Sequence, residues 1–395
     1  MHRAGCFALR VIVLWAGATA VVGLACGCRP PAAARVQTLD DLQRVDPATA
    51  AKDPKTSTLW YDARLLALEG RGWTQTEHYY DRLPAKAKGV VTDAVWRLSK
   101  DTAGMCARFV TDADRISARW TVTSENLAMP HMPATGVSGL DLYVNDQGTW
   151  RWTGAGRPTR SPTNECTVAE GIPPGLHEYA LYLPLYNGVK SLEIGLPAHA
   201  ALAHPAPRPA AHAKPICYYG TSIAQGGCAS RPGMAHVAIL GRMLDRPTIN
   251  LGFSGAGKME PAMANLLAEL DVAAYVLDCL PNMTADMVKE RVEPFVETLR
   301  QARPGTPIIL VENTMYENGR FLPKVRQTIT EKNLALRAAW KRLAARGVAG
   351  LTYVPSDSLV GTDGDGTVDG AHLTDLGFLR FAQSLTPVLR KTLGP

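Results

Sequence analysis

The chain has 395 residues, 46% of them hydrophobic and 20% charged, with a formal net charge of +6 at pH 7. This is the composition of an ordinary globular protein with room for two domains. No block of consecutive Lys/Arg accompanies the modest positive charge, so a nucleic-acid footprint is excluded and the basic residues read as solvated surface.

The first residues stand apart from any fold. "MHRAGCFALR" is a short basic segment, and Val11–Ala25 is an apolar run of fifteen residues. A membrane span needs roughly 20, so residues 1–28 are predicted to be a signal peptide. The run ends in "GLACGC", which resembles the lipobox of bacterial lipoproteins, although neither Cys26 nor Cys28 has leucine three positions upstream. Lipidation at one of these cysteines, giving a lipid anchor to the membrane, and plain secretion after Ala32–Ala34 are the two alternatives. Both predict an exported protein, periplasmic or at the cell surface.

Export permits disulfides. Beyond the leader lie Cys106, Cys166, Cys217, Cys228 and Cys279, an odd number, so at least one thiol is left over. Cys106–Cys166 is the first candidate pair. Outside the leader there is no Cys-x-x-Cys and nowhere a His-x₃-His, so no structural zinc site is expected.

Residues 29–57 read as a flexible segment. Over 58–197, "VVTDAVWRLS", "CARFVTD", "ISARWTVTS", "LDLYVND", "TWRWTG", "YALYLPLY" and "SLEIGLP" alternate or cluster β-branched and aromatic residues between turn signals. That pattern predicts an antiparallel sandwich, with an Asn-Gly hairpin signal at Asn187-Gly188. Residues 198–213, "AHAALAHPAPRPAAHA", read as a semi-rigid Ala/Pro-rich linker, its irregularly spaced histidines as surface residues.

From Lys214 the pattern changes to short apolar runs ("PICYYG", "PTINLGF", "AAYVLDC", "PIILVEN", "GLTYVPS") alternating with amphipathic helical stretches. Continuous apolar strands are buried on both faces, so residues 214–395 are predicted to form a parallel sheet between helices, an α/β fold. Such sheets place their chemistry at the carboxyl ends of the strands. Ser222 stands two residues past the end of the first.

A serine hydroxyl needs a base, usually a histidine held in one tautomer by a carboxylate. The second half holds two histidines. His236 falls within the first predicted helix and reads as a packing or surface residue. His372 lies in "DGAHLTDLG", three residues after Asp369. Asp-x-x-His in one tight turn lets the carboxylate accept from Nδ1–H while Nε2 faces outward. Asp363, Asp365 and Asp375 are nearby alternatives, which otherwise read as turn or helix-start residues. A tetrahedral intermediate also needs oxyanion donors. "NLGFSGAG" can supply backbone N–H groups after the second strand, and Asn282 in "DCLPNM" a side-chain amide after the third.

Gly220-Thr221-Ser222-Ile223, Asn250-x-Gly252-x-x-Gly255, Asn282 and Asp369-x-x-His372 together resemble the four sequence blocks of the SGNH (GDSL-type) hydrolases, over nearly all of 214–395. Thr221 stands where the more familiar subgroup has Asp, and Leu280 where Gly often precedes the block's Asn. Gly139-Leu140-Asp141-Leu142-Tyr143 resembles the Gly-x-Asp-Leu-Tyr motif of a bacterial branch with an N-terminal β-domain. The resemblance implies a three-layer, flavodoxin-like α/β/α domain of strand order 2-1-3-4-5, preceded by a jelly-roll-like β-sandwich. It makes Ser222 the nucleophile, His372 the base and Asp369 its orienting partner. The oxyanion hole would comprise the N–H groups of Ser222 and Gly255 and the Asn282 amide, with no metal or cofactor. Exported relatives of this architecture resemble carbohydrate O-acetyl esterases, so the expected substrate is an acetylated carbohydrate. The Trp and Tyr residues of the first half, Trp60, Tyr61, Trp73, Tyr79, Tyr80, Trp150 and Trp152, read mainly as core, with a few free to stack on sugar rings. Alternatives are a lipid or thioester acylhydrolase, an acyltransferase, and, from another class, a non-catalytic carbohydrate-binding lipoprotein. The full Ser/Gly/Asn/Asp/His set argues against the last.

Overall fold

A computed structural model describes residues 38–357 and 359–394. The predicted leader, with Cys26 and Cys28, lies outside the described residues. Among these, no helix is long and apolar enough to cross a membrane.

The first half folds as two packed antiparallel sheets. One runs in the order Ala51–Lys52, Thr58–Asp62, Val189–Pro197, Arg115–Val122, Thr163–Glu170. The other runs Leu202–Ala203, Cys106–Thr111, His177–Tyr182, Leu140–Asp146, Thr149–Gly156, with Ala67–Glu69 also paired to Cys106–Thr111. The period-2 rule is plain in Arg115–Val122, where Ile116, Ala118, Trp120 and Val122 point inward and their neighbours are half exposed. The Trp120 indole N–H, buried with the ring, donates to the Ser138 carbonyl at 2.9 Å.

Three local expectations are corrected. "VVTDAVWRLS" is not a strand, because Thr92 caps a helical turn over Asp93–Leu98 by accepting from the Val95 N–H. Val95 and Leu98, three apart, then share one buried face. The stretch ending at Ser57 is structured from residue 38 onward. It carries short 3₁₀ turns at Leu39–Asp41 and Pro47–Thr49, and the Val45 N–H donates to the Leu202 carbonyl at 2.8 Å. The Ala/Pro-rich stretch likewise contributes a strand, Leu202–Ala203, because Leu202 and Ala203 are apolar enough to be buried. Its three histidines join no ligand cluster among the described residues.

The second half is a five-stranded parallel sheet: β1 (Ile216–Gly220), β2 (Thr248–Gly252), β3 (Ala274–Asp278), β4 (Ile308–Val311) and β5 (Leu351–Val354), in the order 2-1-3-4-5. Every residue of β1 to β4 is buried, as the apolar runs require. Helices α1 (Pro261–Ala268), α2 (Ala285–Ala302) and α3 (Pro323–Ala345) cover one face. The helices His236–Met243 and Asp375–Leu393 cover the other. His236 is a packing residue. Its ring lies among Tyr218, Phe378 and Phe381 with neither nitrogen bonded, and burial pulls its pKa down to about 3, so it stays neutral.

The two halves share one packed body. Leu83, Val91, Val95 and Leu98 belong to the core under the parallel sheet. Buried Asp141 of the Gly-x-Asp-Leu-Tyr motif accepts from the Gly233 N–H and the Arg231 guanidinium, both at 2.8 Å, and from the Trp152 indole at 2.8 Å. Tyr143 of the same motif packs under the Arg242 guanidinium, 3.9 Å from the ring centroid. The motif is thus a clamp on the segment that follows the serine turn.

Candidate active site

The residues singled out from the sequence meet at the carboxyl rim of the sheet. β1 ends at Gly220, where an added Cβ would stand 2.7 Å from the Ala224 Cβ and 2.9 Å from the Asp278 carbonyl oxygen. Only glycine lets the chain turn there directly into the short helix Ser222–Gln225. Thr221 caps that helix by accepting from the Ile223 N–H, Ile223 is buried beneath it, and Gly226 ends it at φ 109°. Ser222 is therefore held at the first helical position, its carbonyl fixed by the Gly227 N–H at 2.8 Å and the Tyr186 hydroxyl at 3.1 Å.

Ser222 Oγ lies 2.8 Å from His372 Nε2, across 150 residues of sequence. His372 Nδ1 lies 2.7 Å from Asp369 Oδ2, and Asp369 Oδ1 accepts from the backbone N–H groups of Ala371 (3.0 Å) and His372 (2.8 Å). Burial pushes the Asp369 carboxyl up. The bonds from the His372 ring and these two N–H groups outweigh it and hold the group down at about 2. Asp369 is then ionised through the neutral range, placed to accept a proton carried on His372 Nδ1. Two of the three alternative carboxylates are used elsewhere: Asp363 pairs with Arg380, and Asp375 accepts from the Ser230 N–H and hydroxyl. Asp365 is exposed, and its backbone N–H donates to the Asp363 carboxylate.

The expected oxyanion donors gather at the ends of β2 and β3. The Phe253 N–H donates to the Gly220 carbonyl at 3.1 Å, and the Asn282 amide reaches the Phe253 and Gly257 carbonyls at 3.2 and 3.3 Å. Gly255 sits in this turn at φ +66°, a conformation that favours glycine. The backbone N–H groups of Ser222 and Gly255 donate to no acceptor among the described residues.

Several supporting residues escape sequence reasoning. Gln225 accepts from the Ser254 N–H at 3.0 Å and donates to Asp101 at 2.9 Å. Fully buried Arg82 donates to the carbonyls of Asn250 (3.2 Å), Gly252 (2.7 Å), Leu98 (2.7 Å) and Asp101 (2.8 Å), and lies over the Phe253 ring. Gln225 ends the serine helix and Arg82 comes from an irregular segment, and neither stands at a matched motif position, so no local signal marks them.

The five cysteines of the described residues are all free thiols, and the Cys106–Cys166 pairing is not formed. The two lie on strands of opposite sheets, Cys106 in Cys106–Thr111 and Cys166 in Thr163–Glu170. Burial, with the Asp369 charge behind it, pushes the Cys228 thiol up to about 11, so it does not rival Ser222 as a nucleophile.

A cleft of about 1180 Å³ opens beside His372. Its walls come mostly from the first half, with Arg64, Glu77, Asp81, Arg97, Lys100 and Lys190 giving it a charged lining.

A hydroxyl, an imidazole and a carboxylate in line at the rim of a 2-1-3-4-5 sheet define a serine hydrolase fold of the SGNH type. The chain matches the family of GDSL-like lipases and acylhydrolases over residues 213–390, and the GxDLY domain found at the N-terminus of SGNH-hydrolase-type esterases over 58–202. It is similar to a Bacteroides ovatus protein classed as a GDSL-like lipase, with 37% identity and a TM-score of 0.80, over 85% of this chain and 98% of that one. The chain therefore belongs to the GDSL-like (SGNH) family and is an ester-hydrolysing enzyme. Two more distant likenesses show the fold alone. One is the salicylyl-acyltransferase SsfX3 of a tetracycline biosynthetic pathway (19% identity, TM-score 0.67, 85% and 94% covered). The other is a family two carbohydrate esterase from Clostridium thermocellum in complex with cellohexaose (14% identity, TM-score 0.52, 74% and 93% covered). No curated protein matches the chain.

Proposed function

We propose that the protein is an exported serine esterase that removes short-chain acyl groups, acetyl foremost, from carbohydrate. The observation that carries the chemistry is the unbroken hydrogen-bonded line from Ser222 through His372 to Asp369, at 2.8 and 2.7 Å. His372 Nε2 takes the Ser222 proton as Oγ attacks the ester carbonyl, and Asp369 steadies the imidazolium that forms. The oxyanion is received by the N–H groups of Ser222 and Gly255 and the Asn282 amide. Collapse of the intermediate expels the alcohol, which takes its proton from His372. A water activated by the same histidine then hydrolyses the acyl-enzyme.

Charged side chains on the cleft wall, among them Glu77, Asp81, Arg97 and Lys100, offer hydrogen-bonding partners to a polar alcohol such as a sugar. The carbohydrate esterase that shares the fold, and binds cellohexaose, supports the same direction. Acetate release from a panel of acetylated polysaccharides tests the reading, run beside Ser222→Ala and a comparison of acetyl with octanoyl esters. Ser222→Ala should be inactive with the fold intact. Undiminished turnover in that variant removes Ser222 as nucleophile, and a preference for octanoyl esters removes the carbohydrate reading.

A further inference from the structure

Two ligating side chains beyond the triad stand beside the His372 ring. His131 occupies the tip of the turn Met129–Met132, which is closed by reciprocal backbone hydrogen bonds of 2.9 and 3.1 Å and rooted by buried Met132. Its ring centroid lies 5.8 Å from that of His372. Cys228 follows the serine helix at φ +73°, a left-handed conformation that costs a non-glycine residue on the order of 1–2 kcal/mol. One nitrogen or sulfur atom from each of His131, Cys228 and His372 lies within 4.8 Å of the other two.

We propose that His131, Cys228 and His372 form a binding site for Zn²⁺, or a comparably thiophilic divalent ion, whose occupation switches the enzyme off. In tetrahedral zinc sites, bonds of about 2.0–2.3 Å put neighbouring ligand atoms roughly 3.5 Å apart. The three atoms are therefore about 1 Å from a closed site, and exposed His131, at a turn tip, is free to make up the difference. One thiolate and two imidazoles select zinc, cadmium or cobalt over Mg²⁺ and Ca²⁺, which take oxygen ligands. Asp369 on Nδ1 already orients His372 with Nε2 outward, the carboxylate–histidine arrangement that supports a metal-bound imidazole.

The exchange is balanced without redox change. The Cys228 S–H bond breaks, its proton leaves to solvent, and a metal–sulfur bond forms. The Nε2 lone pair, which now accepts from the Ser222 hydroxyl, is donated to the ion instead. Ser222 then has no base. A water can fill the fourth position.

The inhibition rests on His372 being the base, but the metal site does not, and the test separates them. Titrating the full chain with Co²⁺ should raise a near-ultraviolet thiolate-to-cobalt band that saturates at one ion per chain and is abolished by Zn²⁺. Ser222→Ala should give the same band. In the wild type, hydrolysis of an activated acetyl ester should fall at least tenfold over the same Zn²⁺ range, recover with EDTA and ignore Mg²⁺. Cys228→Ser should hydrolyse the ester at the wild-type rate without metal, show no band, and need at least about tenfold more Zn²⁺ for inhibition. His131→Gln, at an exposed position, should also weaken Co²⁺ binding. Absence of the band in both wild type and Ser222→Ala, or equal zinc inhibition in wild type and Cys228→Ser, overturns the site. A saturated band with undiminished turnover overturns the switch.

Discussion

Replacing Arg82 by methionine tests whether the first half builds the active site or merely adjoins it. The guanidinium is buried and donates to four backbone carbonyls, two of them, Asn250 and Gly252, in β2, which leads into the oxyanion turn. Hydrogen bonds from a charged donor contribute about 1.5 kcal/mol each at the low end, so the four are worth roughly 6 kcal/mol. Burial, only partly offset by Asp101 and Tyr186, pulls the Arg82 pKa down to about 10, a cost to the charged form on the order of 3 kcal/mol. The net loss is then about 3 kcal/mol, in keeping with the removal of one partner from a buried polar network. Methionine fills most of the volume, so little cavity term is added. For a chain of this size each kcal/mol shifts Tm by roughly 2 °C, giving a fall of about 6 °C by circular dichroism. With β2 released, the Gly255 N–H loses its aim, and kcat for an activated acetyl ester should drop about tenfold or more while KM changes little. Arg82→Lys keeps the charge but cannot span four carbonyls, so it should recover only part of either loss. A Tm within 1–2 °C of wild type, together with an unchanged kcat, would refute the reasoning.

Asp369→Asn should lower kcat on the order of 10⁴-fold, the scale seen when the orienting carboxylate of a serine triad is lost, with little effect on folding, since the side chain is largely exposed. A loss below about tenfold would remove Asp369 from the line. Asp101 predicts a pH effect of the opposite kind. Burial raises its carboxyl to about 6 against the pull of Arg82, the Gln225 hydrogen bond and Arg97. An acid whose folded pKa is raised stabilises fully below its unfolded value near 3.9 and loses that contribution as pH climbs through 6. Asp101→Asn, which keeps an oxygen for the Gln225 amide, should therefore melt higher than wild type at pH 8 and equally at pH 4. The same Tm difference at both pH values would show that the carboxyl is not held up by burial.

The catalytic line and the 2-1-3-4-5 sheet were legible because both are written locally. A buried parallel strand is a short apolar run, and each chemical group follows such a run within a few residues: Ser222 after β1, Gly255 after β2, Asn282 after β3. Asp369 and His372 share one turn, so their partnership needs no long-range knowledge. The support of the site is a different matter. Arg82 reaches Asn250 across 168 residues and Gln225 reaches Asp101 across 124, pairings that no local pattern announces. His131 belongs to no motif, and only the turn Met129–Met132 brings its ring beside that of His372. Helix Asp93–Leu98 was hidden for the converse reason. Its β-branched and aromatic residues favour a strand in isolation, and the Thr92 cap with burial of Val95 and Leu98 overrides that preference.

The same contrast explains why composition divides this chain where packing does not. The Ala/Pro-rich stretch at 198–213 marks a change from alternating to continuous apolar patterning, and a boundary drawn there separates two kinds of local sequence. Energetically the seam lies elsewhere. Asp141 is buried, and burial raises its carboxyl above the ordinary value against the pull of its bonds to Arg231 and Gly233. Arg82 is a second buried charge of the first half, two of whose four hydrogen bonds go to carbonyls of the second. The first half thus holds two buried charged side chains, Asp141 and Arg82, each of which finds part of its partners in the second half. Asp141 holds the segment that follows the serine turn, and Arg82 holds β2, which leads into the turn bearing Gly255. The cost of burying these charges is offset only when those segments are in place, which ties the packing of the two halves to the geometry of the site.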